Sequence, residues 1–142
     1  MRPIKFRAWN KHSKKMFNVL EVWFKENTTH PNGPVGALID TSPYAVFCEF
    51  DVLELMQFTG LHDKNGKEIW EGDILSGPAF NYRVVFHAGG FCALKILPVL
   101  DQIKEGDEKI LWYMPYSIEN LGYGKEVLGN IYENPELLKD TP

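Results

Sequence analysis

Runs of β-branched and aromatic residues recur roughly every ten positions along this chain, and Gly, Asn or Pro interrupts each of them. Such spacing leaves no room for strands alternating with long helices. It argues against a doubly wound α/β fold and for a small barrel or sandwich of short strands. No internal repeat or low-complexity segment is visible.

The sharpest local signal is the tract Met56–Leu75, MQFTGLHDKNGKEIWEGDIL. Gln57–Leu61 leads into Asp63-Lys64-Asn65-Gly66. Asp and Asn favour a turn through side-chain to backbone bonds, and Gly66 supplies the positive φ that closes it. Lys67–Trp70 returns as a strand. Gly72 then predicts a bulge or sharp bend, and the Asp73 carboxylate is placed to accept backbone N–H groups and hold it.

Other elements follow from alternation. Ile4–Trp9 alternates with a period of two, Ile4, Phe6 and Ala8 on one face and Lys5, Arg7 and Trp9 on the other. With Met16–Phe24 it predicts a β-hairpin over residues 4–24, turning at Asn10–Lys14. Asn27–Gly36, with two prolines and two glycines, reads as a loop. Ala45–Leu55 begins as a strand, but Asp51–Met56 fits either a strand or a helical turn. Tyr82–Phe86 and Phe91–Leu97 form a second hairpin through His87–Gly90. Ile110–Met114 and Val127–Tyr132 read as the last strands. Asn134-Pro135-Glu136 opens a single C-terminal helical turn, with Asn134 as N-cap.

Three separated segments resemble one family. They are Lys5-Phe6-Arg7-Ala8-Trp9 with Lys14-Lys15-Met16, the tract from Met56 to Ile74, and Gly129-Asn130-Ile131-Tyr132-Glu133-Asn134-Pro135-Glu136-Leu137-Leu138. Together they resemble the YopX family of phage- and prophage-borne proteins. The resemblance implies a mainly β fold with an SH3-like small barrel, and a phage-derived protein of the bacterial cytoplasm. It supplies no catalytic or binding residues. On this reading residues 1–142 are one YopX-like domain. An N-terminal hairpin and loop region spans 1–50, the barrel region spans 51–142, and a short helical turn ends the chain.

Composition supports a packed core, with 44% hydrophobic and 13% aromatic residues. No export signal is evident, and no run approaches the roughly 20 apolar residues of a membrane span. The expectation is a cytoplasmic protein with no membrane partner. Cys48 and Cys92 lie in apolar, alternating surroundings and are expected to be buried free thiols.

Catalytic and cofactor motifs are missing. His12, His30, His62 and His87 are scattered, with no second ligand at zinc spacing. There is no phosphate loop, dinucleotide fingerprint or nucleophile elbow. The expectation is no enzyme, no cofactor and no metal. The rival is a cation-dependent site built from Asp63, Glu68, Glu71 and Asp73 beside His62, although their spacing does not follow a calcium loop.

Two surfaces stand out. Residues 1–16 hold six basic and no acidic side chains, a charge of +6, while the remaining nine basic and 19 acidic residues give −10. Lys5, Arg7, Lys11, Lys14 and Lys15 could track phosphates, with Trp9 stacking on a base. The aromatic runs Val22-Trp23-Phe24 and Leu111–Tyr116 exceed what one strand face can bury. Trp23, Phe24, Trp112, Tyr113 and Tyr116 are therefore candidate interface residues. The function expected is binding: to another protein or a second copy through the aromatic surfaces, or to nucleic acid through the basic hairpin.

Overall fold

The computed structural model describes residues 3–24, 34–78, 80–96, 116–121 and 124–139. The chain divides into two compact units, Met1–Phe58 and Thr59–Pro142. The division falls within a strand, later than residue 50.

The first unit is an antiparallel sheet. β1 (Phe6–Asn10) and β2 (Lys15–Phe24) form the expected hairpin, pairing Arg7 with Asn18 and Asn10 with Lys15. Its turn is fixed by the Asn10 carboxamide, which accepts the N–H groups of His12 at 2.9 Å and Ser13 at 3.0 Å. β3 (Pro34–Asp40) lies beside β2, and β4 (Ala45–Glu49) lies beside β3. β5 (Leu53–His62) pairs with the other side of β1, so the order is β4-β3-β2-β1-β5. Ala8, Ala37, Ile39 and Leu53 form the buried core, with Phe17, Val19, Cys48 and Phe50 packed against it.

Two sequence expectations change here. The loop ends before Pro34 rather than at Gly36, because Val35–Ile39 alternates against two neighbouring strands. Asp51–Met56 is not a helical turn: the chain turns at 50–52 and is extended from Leu53 onward, where it meets β1.

The second unit begins with the end of β5, which runs beside β6 (Glu68–Trp70). Gly66 takes φ +81° in the hairpin turn, as expected. Thr59 Oγ1 donates to the Ile69 carbonyl at 2.7 Å, locking these two strands. Gly72 (φ +83°) makes the bend, and Asp73 Oδ2 accepts the Trp70 N–H at 2.8 Å. β7 (Asp73–Ser76), β8 (Asn81–His87), β9 (Gly90–Lys95) and β10 (Val127–Asn130) form a second antiparallel sheet in the order β10-β7-β8-β9. The β8–β9 loop is the two residues Ala88 and Gly89, both with positive φ, the geometry of a tight hairpin. Ile69, Leu75, Tyr82, Val84, Ala93, Ile118 and Leu121 make its core.

The fold is mainly β, with two antiparallel sheets. It is not a closed barrel: among the described residues the second sheet ends at β10 and β9 with no pairing between them. The C-terminal turn is a 3-10 helix, Pro135–Leu138. Asn134 precedes it but does not cap it with its side chain. That side chain instead accepts the Asn130 N–H at 3.2 Å, while Asn130 Oδ1 accepts Tyr132 and Glu133. The expected strand Ile110–Met114 lies outside the described residues.

Candidate functional site

The most unusual described surface is the outer face of β2, β3 and β4. In antiparallel sheets, directly paired residues share a face. Trp23 pairs with Gly36 and Gly36 with Glu49; Glu21 pairs with Leu38 and Leu38 with Phe47. These residues, with Asp40 and Ala45, occupy the outer face. Val22, Ala37 and Cys48, and Val19, Ile39 and Val46, form the opposite one.

Gly36 is the floor of this face. With no side chain there, the Trp23 and Phe47 rings close over it, their centroids 5.0 Å apart. A Cβ on Gly36 would sit 2.5 Å from the Cys48 carbonyl and 2.6 Å from the Phe47 ring. Glu21 Oε2 accepts the Trp23 indole N–H at 3.0 Å and orients the ring. Trp23 nevertheless stays 48% exposed, Phe24 69% and Tyr44 76%, and Leu20 and Phe47 are exposed too. Leu20 is displaced where the β2–β3 register shifts between Val19 and Glu21. Tyr44 ends a turn in which the Asp40 carboxylate accepts the Ser42 hydroxyl at 2.8 Å and its amide at 2.9 Å. Those bonds from Ser42 hold the Asp40 carboxyl below its ordinary value, so it is charged at neutral pH.

Of the predicted interface residues, Trp23 and Phe24 belong to this face. Tyr116 is exposed in the second unit, where its ring meets Tyr82 edge-on at 5.8 Å. Trp112 and Tyr113 lie outside the described residues. Phe47, Tyr44 and Leu20 were not singled out in the sequence. The signal was there: Pro34–Asp40 and Ala45–Glu49 are short apolar runs around a Thr-Ser-Pro-Tyr turn, which is a hairpin pattern.

The basic hairpin is less available than its sequence suggests. Trp9 is buried at 8% exposure, so its ring is not a stacking platform for a base. Lys11 Nζ is held by Glu54 at 3.2 Å and by the Asp51 carbonyl at 3.0 Å. Lys5 lies over the Phe58 ring at 4.5 Å, and Arg7 is half-buried. Lys14 and Lys15 are exposed at the hairpin tip.

Within the acidic tract, Asp63 and Asp73 hold backbone turns. The buried Asp63 carboxylate accepts backbone N–H groups from Asn65, Lys67 and Val127 at 2.8, 2.9 and 3.0 Å. Burial pushes its pKa up, but these three bonds and the Lys67 charge outweigh it, leaving the group below its ordinary value. Among the described residues no three His, Cys, Asp or Glu side chains gather in a metal-holding arrangement. Cys48 and Cys92 are free and half-buried, and burial pushes the Cys92 thiol up. No helix among the described residues is long and apolar enough to cross a membrane.

The sequence profile of the family described as YopX protein matches residues 5–139. The chain belongs to the YopX family. The crystal structure of protein EF1440 from Enterococcus faecalis is similar to this YopX protein, with a TM-score of 0.61 and 28% identity over 97% of this chain and 99% of that one. A search of curated proteins finds no match.

Proposed function

We propose that this YopX protein is a phage- or prophage-borne accessory factor of the bacterial cytoplasm that acts by binding another protein through the outer face of β2, β3 and β4. One observation carries the reading: the Trp23–Phe47 pair stands exposed over Gly36, and Leu20, Phe24 and Tyr44 are exposed on the same strands and their connecting turn. Large aromatic side chains left exposed in a cluster mark interaction sites, whereas singly scattered ones do not. An open, SH3-like arrangement of the second unit belongs to the same proposal. Its support is the meander β7–β8–β9, with β10 returning beside β7 after the 3-10 turn Ile118–Leu121.

Affinity capture from host cells, with and without nuclease, tests this reading. Wild-type protein should retain a protein partner after nuclease, and Trp23→Ser with Phe24→Ser should lose it while keeping its circular dichroism. A partner that disappears with nuclease, or that both proteins retain equally, would overturn the proposal.

Self-association through this face is a second reading, favoured by the opposite charges of the exposed Lys14–Lys15 tip and of Glu21 and Glu49. It predicts a species larger than the monomer in light scattering at tens of micromolar, and a monomer alone would dispose of it.

A further inference from the structure

The binding face ends at an open strand edge. Backbone bonds from Thr41 N–H to the Tyr44 carbonyl (3.0 Å) and from Phe50 N–H to the Val35 carbonyl (3.2 Å) mark which residue pairs bond β3 to β4. The register continues this pattern through Ala37–Cys48 and Ile39–Val46. The N–H and C=O groups of Ala45, Phe47 and Glu49 therefore point away from β3, and of these the Glu49 carbonyl already accepts the Val52 N–H at 3.1 Å. Among the described residues no strand pairs with that side of β4.

Edges of this kind are usually guarded by Lys, Pro, bulges or extreme shortness. β4 has five residues, AVFCE, with no Lys, no Pro and a regular register. The other sheet ends are guarded. Tyr116 exchanges two backbone bonds with Ala93 of β9, at 2.8 and 2.9 Å. The β10 register breaks between Val127 and Gly129, and β6 has only three residues.

Charge selects the occupant. Between Met16 and Glu49 the charged side chains of the described residues are Glu21, Asp40 and Glu49, all acidic, and Asp51 follows. Asp40 pairs with Ala45 at one end of β4, Glu49 stands at the other, and Phe47 lies between them on the same face. Resting on the protein-binding reading above, we infer that β4 accepts an extended cationic segment of a partner protein as an added strand, with an apolar side chain beside Phe47 and Lys or Arg two residues to either side. Glu49 stands on β4 itself, while Asp40 stands one strand behind Ala45, where a long Lys or Arg side chain reaches it across the small alanine. Backbone bonds to both groups of Ala45 and Phe47 and to the Glu49 N–H hold the segment, and the nearby carboxylates choose its charge. A second copy of β4 fits poorly. In two-fold register about Phe47 each Glu49 would face Ala45 of the other copy, with that copy's Asp40 behind it and no basic side chain on β4 to meet either acid.

The test uses the full chain and two labelled peptides, one with the core Lys-Thr-Phe-Thr-Lys and one with Glu in place of both lysines, followed by fluorescence anisotropy. The Lys peptide should bind saturably and weaken as salt rises; the Glu peptide should not bind. Ala45→Pro removes an outward N–H at an edge position where proline is tolerated, and it should abolish binding. Glu49→Lys should weaken the Lys peptide about tenfold and admit the Glu peptide, a gain that misfolding cannot mimic. Equal binding of both peptides, no binding of either, or full binding by Ala45→Pro would overturn the inference. Failure here with a partner still lost on Trp23→Ser would leave the binding face standing and remove only the added strand. Failure of both experiments would remove both.

Discussion

Asp63 shows how much one carboxylate can organise. It gathers the N–H groups of Asn65 and Lys67 in its own turn and that of Val127 at the start of β10. Beside it, Lys64 pairs with Glu126 at 3.1 Å, and the Lys64 N–H reaches the Lys125 carbonyl. Asp63→Ala should cost about 1–3 kcal/mol, because buried donors lose their acceptor. The folded group ionises below its ordinary value of 3.8. Its contribution is therefore complete above that value and is lost as pH falls through the lower folded value. Urea unfolding should show the full difference between wild type and Asp63→Ala at neutral pH, shrinking as pH falls below 3.8. A difference that does not change with pH would contradict this role. The turn was readable in Asp63-Lys64-Asn65-Gly66 because its bonds are local. The bond to Val127 was not, since nothing in the turn names a partner 64 positions away. Trp9 and Trp23 teach the same lesson. Both sit in alternating strands, yet Trp9 is paired on both sides, with Met16 and Glu54, and is buried, whereas Trp23 is paired with Gly36, which has no side chain, and is exposed.

At the scale of elements, the hairpins β1–β2 and β8–β9 and the bend at Gly72 were legible, since turn chemistry and alternation agree in each. β3 was not. Its Pro34 and Gly36 read as loop residues, yet Pro34 opens the strand and Gly36 makes room for two rings. Gly36→Val should cost about 1–3 kcal/mol from overpacking against the Cys48 carbonyl and the Phe47 ring. It should also shift Trp23 fluorescence as the ring contact breaks. Chemical denaturation with emission spectra checks both, and an unchanged spectrum with unchanged stability would refute the packing described here. The barrel expectation failed for a related reason: short strands predict a small curved sheet, whereas closure depends on which edges meet, and local pattern does not encode that.

For the whole molecule, charge and exposure now point to the β2–β4 face rather than to the basic hairpin. Lys5 and Lys11 are engaged and Trp9 is buried, so the hairpin offers Lys14 and Lys15. Mobility shifts at low salt should show at most weak, sequence-independent nucleic-acid binding, removed by Lys14→Glu with Lys15→Glu. Tight binding that survives that change would return the function to nucleic acid. The family was legible because three short segments keep their order across the chain. The exposed aromatic face was only half legible, through Trp23 and Phe24, because its other half lies on strands that pair at a distance.

Amide hydrogen exchange along β4 tests the account most directly. In the free protein, Val46 and Cys48 should be protected by β3, while Ala45, Phe47 and Glu49 exchange fast. Adding the Lys-containing peptide should protect those three. Uniform protection of β4 in the free protein, or no gain on adding the peptide, would contradict an open edge built to receive a strand.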